Sequence, residues 1–393
     1  MKNRIGLIIG TLPASYRGIA AGGIATHIDG LINNLRKRDI KIRICYHKPF
    51  GVNHPEVINS LKIGWFVAVL SGFARLLFKR EFTYKSYSFK TLILIAYYYA
   101  TLSKYFKREE PDFIHIHSLY NPAAIAIRLL EYKGRLVTTD HGFWVDSNYL
   151  LDKKLLVLLR KNFSITSKVI YISDAALVEH KKAQLGDLRK LVKISNPTSF
   201  RNYPCKDVEH LNGNKYIIIF NGYNDSLVTK GLAFLLDAIN SNRYLSENVK
   251  LWMICNEEAI NYLQKRVWNF EYGVFGRIRF EEVLKMYMQS DLLVVPSKFE
   301  SFGLVYTEAL AVGIPVIGYY AMINEFQRTL NTYIGESIDI ATEQPGILSQ
   351  KIMKCLQTPF NRKKVREALI KAYDWDILME RFEKLYYGEE VVE

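Results

Sequence analysis

The chain has 393 residues, more than one compact core normally covers, and its 49% hydrophobic and 23% charged residues are an ordinary globular balance. Four scattered cysteines, Cys45, Cys205, Cys255 and Cys355, form no C-x-x-C, which excludes a disulfide scaffold and a zinc ribbon and suits a reducing compartment. The net charge of +14 narrows the partners to nucleic acid, an anionic membrane surface or phosphorylated substrates.

The opening MKNRIGLIIG runs straight into a strand pattern, and its apolar run is too short for a signal peptide. Ile5–Ile9, Lys41–Tyr46, Phe113–His117, Arg135–Thr139, Val169–Ile172 and Leu191–Ile194 read as buried strands. Ile24, Ile28, Leu31, Ile32 and Leu35 recur on one face of a helix that Gly22-Gly23 precedes. Glycine there lets backbone approach a ligand closely. From Lys62 to Arg108 stand nine Lys or Arg, one acid (Glu81) and thirteen aromatic residues. Its two uncharged stretches, Ile63–Ala74 and Thr91–Ser103, are shorter than the roughly 20 apolar residues of a membrane span. They suit interfacial helices, with core helices of the first domain as the plainer alternative.

Pro197, Pro204 and the Asn-Gly-Asn at 212–214 mark Ser195–Asn214 as a linker. A second strand series follows: Tyr216–Phe220, Leu251–Ile254, Ile278–Phe280, Leu292–Val295 and Pro315–Ile317. Strands alternating with helical patterns predict an α/β chain of two Rossmann-like domains with parallel sheets, and a ligand cleft at the carboxyl ends of the strands.

Several residues at those ends carry chemistry. Gly222 follows a strand, and Lys230-Gly231 opens the helix Leu232–Ile239. A lysine at a helix start is unfavourable unless an anion lies near. Thr139-Asp140-His141-Gly142 ends another strand, which aims His141 at the cleft. His115 and His117 share one strand face, but no third residue at ligand spacing joins them, so no metal site is expected. Asp374 and Asp376 read as helix N-terminal acids. In ESFGLVYTE, Glu300 and Glu308 bracket a glycine turn directly after an apolar strand. An acid in a first helical turn explains Glu308 simply, while a strand, a glycine turn and a helix start make a ready anion site.

Taken together these residues resemble the GT-B glycosyltransferases, specifically the retaining family GT4. The pattern Pro296-Ser297-x-x-Glu300-Ser301-Phe302-Gly303-x4-Glu308-Ala309-x3-Gly313-x-Pro315 carries most of the likeness. Gly22-Gly23, His141-Gly142, Ser173, Asn196-Pro197, Lys230-Gly231 and the tail Trp375-Asp376 with Glu380-Arg381-Phe382 support it. The resemblance implies an acceptor-binding domain over 1–196, a nucleotide-sugar domain over 197–374, and a helix over 375–393 that returns to the first. It implies that Glu300 contacts the donor sugar and that amides from Phe302 through Gly303 and Leu304 to Val305, beside Ser301, hold sugar hydroxyls and diphosphate. Glu308 would bind ribose, Lys230 diphosphate and His141 the sugar, with Gly22, Gly23 and Gly222 admitting the donor. No metal or other cofactor is implied, since cations and helix termini replace it.

Two departures stand out. Tyr223-Asn224 occupy the place of a family arginine after Gly222, and Tyr320–Asn324 replace a glycine-rich turn before Glu325. The expected partners are a nucleotide-diphosphate sugar (a UDP-sugar first), a glycan or lipid-linked acceptor and an anionic membrane surface, with no nucleic acid. The expected place is the cytoplasmic face of a membrane. A sugar-nucleotide epimerase and a non-catalytic nucleotide-sugar-binding subunit are the competing readings.

Overall fold

The computed structural model describes residues 4–16, 23–46, 54–58, 62–77, 86–142, 152–206, 215–224 and 226–389. The chain divides into two compact units: Met1–Pro197 together with Leu378–Glu393, and Thr198–Ile377.

The N-terminal unit holds β1 (Ile5–Ile9), β2 (Lys41–Cys45), β3 (Phe113–His117), β4 (Arg135–Asp140), β5 (Lys168–Tyr171) and β6 (Leu191–Lys193). They form one parallel sheet in the order β2-β1-β3-β4-β5-β6. Every residue of β3, FIHIH, is buried, as expected of a central parallel strand covered on both faces. The order reverses between β1 and β3, and such a reversal opens a crevice at the strands' carboxyl ends. Helix α1 (Gly23–Arg36) follows β1 and buries Ile28, Leu31, Ile32 and Leu35.

The β2-to-β3 connection contains two helices, α2 (Lys62–Leu76) and α3 (Phe89–Phe106). The basic, aromatic segment therefore splits. Helix α3 is core: Ile95, Ala96, Tyr97, Tyr98 and Leu102 are fully buried, and the Tyr97 hydroxyl donates to the Tyr46 carbonyl at 3.1 Å. The expectation of an interfacial helix over Thr91–Ser103 is thus corrected. Its tyrosines line a continuous apolar cluster with β1, β3 and residues Ala123–Leu129. Helix α2 lies outside α3. Gly72 is its point of closest approach, since a Cβ there would stand 2.1 Å from the Ala96 carbonyl oxygen. Among the described residues no helix is long and apolar enough to cross a membrane.

The last helix, here α15 (Trp375–Tyr387), supplies Tyr386 to the N-terminal core. Its ring stacks on Phe113 with centroids 3.9 Å apart, and its hydroxyl hydrogen-bonds His115 Nδ1 at 2.7 Å.

The C-terminal unit repeats the design with β7 (Tyr216–Asn221), β8 (Val249–Ile254), β9 (Glu271–Phe275), β10 (Leu292–Val295), β11 (Val316–Tyr319) and β12 (Gly335–Ile338). The parallel order is β12-β11-β10-β7-β8-β9, with the reversal between β10 and β7. One predicted strand is wrong. Ile278–Phe280 is not a strand, because Arg279 begins helix α10 (Phe280–Gln289), and its amide donates to the Glu282 carboxylate at 3.1 Å. The strand lies earlier, as β9. None of the residues of this edge strand is buried, and it lacks the apolar alternation that would announce it. The other edge strand, β12, is GESI, too short and with too few apolar residues to stand out in the sequence.

Candidate active site

In the C-terminal unit, two loops meet at the carboxyl ends of β7 and β10. Gly231 has φ +74° and caps helix α7 (Leu232–Asn240). A Cβ at Gly231 would stand 2.1 Å from the Pro296 carbonyl oxygen, so glycine is what allows the loops to touch. The Lys298 amide then donates to the Thr229 carbonyl at 2.8 Å. A Cβ at Gly222 would stand 2.9 Å from Lys230 Cβ, so Gly222 makes room for the lysine stem. Lys230 Nζ donates to Glu300 Oε1 at 2.5 Å, and Ser297 Oγ donates to the same oxygen at 2.9 Å. The anion that the lysine at a helix start calls for is Glu300.

Gly303, at φ +75°, caps helix α11 (Leu304–Val312), whose first amides have no partner within the helix, the Tyr306 amide turning to the Gly303 carbonyl at 2.9 Å. Phe302 contributes only its backbone, because its ring is buried edge-on against Phe326 and Tyr373. Tyr306 fixes the turn: its hydroxyl donates to the Val295 carbonyl at 2.7 Å and accepts from the Tyr319 amide at 3.1 Å. Glu308 lies in the second turn of α11, and no acid stands in the first. The simple helix-dipole account of Glu308 therefore loses its basis. Removal from water pushes the Glu308 carboxyl up to about 7.

This shift has a measurable consequence. The folded carboxyl holds its proton more tightly than the unfolded one, so stability falls as pH rises from about 4.5 to about 7. Glu308→Gln is expected to match the wild type at pH 5 and to exceed it by on the order of 3 kcal/mol at pH 8.5. Denaturant titrations at the two pH values read the difference. An equal gap at both would show that Glu308 ionises as freely as a surface acid.

In the N-terminal unit, four histidines gather at the carboxyl ends of β3 and β4. His117 Nδ1 and His141 Nε2 share a hydrogen bond of 3.0 Å. The His27 ring, from α1, lies 4.9 Å from His141 and 5.4 Å from His117, centroid to centroid. His115 stacks on His117 at 4.4 Å and is held by Tyr386 and by Thr139 Oγ1 at 2.7 Å. Burial drives all four well below the usual imidazole range, His115 to about 3 and His141 to about 4. They are neutral at pH 7. The expectation that no third ligand joins the strand histidines is corrected, because nitrogens of His27, His117 and His141 lie within 4.8 Å of one another. Sequence spacing could not show this: the three come from a helix, a strand and a loop, and His27 stands 90 residues or more before the other two.

A family model for glycosyl transferases group 1 matches residues 206–374, and one for Glycosyltransferase Family 4 matches residues 21–197. The chain belongs to the group 1, family 4 glycosyltransferases. It is 24% identical over 240 residues, 56% of its length, to an uncharacterized 41.2 kDa protein in a cps region of Klebsiella pneumoniae. It is 26% identical over 201 residues, 44% of its length, to an uncharacterized glycosyltransferase of Methanocaldococcus jannaschii. The chain spans 63% and 54% of the length of these two relatives. Its fold is similar to that of a sucrose-phosphate synthase from Thermosynechococcus elongatus, with a TM-score of 0.74 and 16% identity over 98% of each chain. That is the two-unit GT-B fold, whose parallel sheets both appear here.

Against the family pattern, the residues sort as follows. Lys230, Gly222, Glu300, Ser301, Gly303, Leu304, Val305 and Glu308 stand on the two joined loops and the helix they lead into. Gly23 is the first residue of α1, in ordinary helical conformation, and Gly22 lies outside the described residues. At the departure, the exposed Tyr223 ring has the Arg277 guanidinium 5.9 Å from its centroid, so a cation stands beside the position that lacks the family arginine. Asp374 caps α15 by accepting from the Asp376 amide at 3.1 Å, the role its sequence position predicts. One pair has no signal in the sequence: Asp140 Oδ2 and His180 Nε2, both buried, lie 2.9 Å apart. His180 sits on α6 (Asp174–Ala183) and has no motif around it to signal the contact.

Proposed function

We propose that this glycosyltransferase moves a sugar from a nucleotide-diphosphate sugar, a UDP-sugar first, to a glycan or lipid-linked acceptor with retention of anomeric configuration. The observation that carries the reading is the Lys230–Glu300–Ser297 group at the β7/β10 reversal, beside the N-terminal end of α11. In the proposed reaction the bond from the anomeric carbon to the diphosphate oxygen breaks and the sugar becomes oxocarbenium-like. The acceptor hydroxyl bonds to the anomeric carbon from the same face, and its proton passes to the departing phosphate oxygen. Lys230 and the α11 amides offset the charge that builds on the diphosphate. Glu300 holds sugar hydroxyls, Glu308 the ribose hydroxyls, and His141, neutral at pH 7, donates to the sugar. We place the reaction in envelope polysaccharide synthesis, at the cytoplasmic face of an anionic membrane.

A nucleotide-sugar thermal-shift screen followed by transfer assays tests this reading. A donor at 100 times its Kd stabilises the protein by about 2.7 kcal/mol. Transfer is expected to survive exhaustive chelation, since the α11 amides and Lys230 supply the positive charge. Abolition by chelator with rescue by manganese would reject metal-free transfer and point to His27, His117 and His141. Tyr223 in place of an arginine favours the second reading, a non-catalytic subunit, which predicts donor binding without turnover on any acceptor. Conversion of donor without acceptor would indicate an epimerase instead.

A further inference from the structure

Helix α2 is a surplus layer. One helix suffices to cross from β2 to β3 in a parallel sheet, and α3 already does so with its apolar side buried. Helix α2 turns Val69, Gly72 and Leu76 toward α3. Beside that face stand Phe66 and Leu70, 61% and 71% exposed, and Leu77, one residue past the helix end and 76% exposed, whose amide still donates to the Phe73 carbonyl at 3.1 Å. At about 100° per residue these three project within about 40° of one another. Val67 flanks them, and Phe89, at the start of α3, is 74% exposed. Apolar residues exposed singly are ordinary, whereas a contiguous stripe marks an interaction surface.

Charge identifies the partner. The stretch from Lys62 to Arg108 has nine basic residues to one acid. Arg75, Lys90 and Lys104 are exposed on the two helices that carry the stripe and its flank. Pairing this face with a second copy would set cation against cation, whereas an anionic lipid surface complements it. The stripe is also one face of one helix, which suits insertion to headgroup depth rather than a span.

We propose that the outer stripe of α2, with Phe66, Leu70 and Leu77 as anchors, docks the protein on an anionic lipid bilayer, while α3 stays in the core. The inference rests on the membrane placement proposed above and is independent of the transfer reaction. The test is sedimentation with vesicles of equal parts phosphatidylcholine and phosphatidylglycerol, at low and high salt, without any donor. The wild type pellets with these vesicles at low salt, less at high salt, and little with phosphatidylcholine alone. The triple variant Phe66→Ser, Leu70→Ser, Leu77→Ser lowers the partition coefficient by about tenfold or more. All three positions are exposed, so its melting temperature stays near the wild type's. Val267→Ser, at an 89% exposed site in the other unit, binds as the wild type does. Wild-type protein that stays in the supernatant overturns both the docking and the membrane placement. A triple variant that pellets as well as the wild type overturns α2 as the anchor and leaves the placement standing. A wild type that is dimeric in solution and turns monomeric in the triple variant, without vesicle binding, assigns the stripe to a second copy instead.

Discussion

Acidification from pH 7 to pH 5 is expected to unfold the N-terminal unit while the C-terminal unit holds. His27, His115, His117 and His141 are all buried and all hold their protons far more weakly than exposed imidazoles. A depressed folded pKa means that the unfolded chain binds more protons below pH 6.5, so stability is lost as pH falls from 6.5 towards 4 and below. At pH 5 His115 and His141 each cost about 2 kcal/mol, and His27 and His117 act in the same direction. The four share one cluster, so their costs are not independent, but even two or three approach the roughly 5–15 kcal/mol that holds a domain together. The C-terminal unit responds with the opposite sign, because Glu308 gains stability as pH falls through about 7. Hydrogen exchange, corrected for its intrinsic pH dependence, separates the two. Peptides from β1, β3 and β4 should lose protection at pH 5 while those from β7 and β10 keep it. Equal protection in both sheets at pH 5 would mean that the histidine cluster accepts protons without opening.

Replacing Lys230 with alanine is expected to lower transfer by about ten- to a hundredfold or more. The lysine is proposed to meet the diphosphate, and a charge-assisted hydrogen bond of that kind contributes roughly 1.5–3 kcal/mol. Its partner Glu300 would keep the hydrogen bond from the Ser297 hydroxyl. The pair is partly open to water, so the fold should survive with a modest loss of stability. Lys230→Arg keeps the charge but not the compact ammonium and should retain part of the activity. Donor kcat/KM and nucleoside-diphosphate binding, measured side by side, separate a lost contact from a lost fold. If Lys230→Ala and Glu300→Ala both turn over at the wild-type rate, the donor site lies elsewhere.

Much of this protein is written in local patterns. Central strands such as Ile5–Ile9, Phe113–His117 and Leu292–Val295 stand in the sequence with their observed ends, because a strand buried on both faces is rich in apolar, β-branched residues, the two histidines of Phe113–His117 apart. The glycines at 231 and 303 and the lysine and glutamates around them are equally legible, since a turn at positive φ and a helix start have local chemical requirements. Edge strands β9 and β12 left no such mark, because one open edge relaxes the demand for apolar residues. Composition alone also left α2 and α3 alike. Only packing decided that the tyrosines of α3 are core and that Phe66 and Leu70 of α2 face outward while Leu76 packs inward. The histidine cluster, the Asp140–His180 pair and the Lys230–Glu300 bond depend on residues brought together from distant positions. The sequence by itself determined the periodicities, the turns and the family; the tertiary structure decided which side chains meet, because strand order, not chain order, sets who stands beside whom at the carboxyl ends of a parallel sheet.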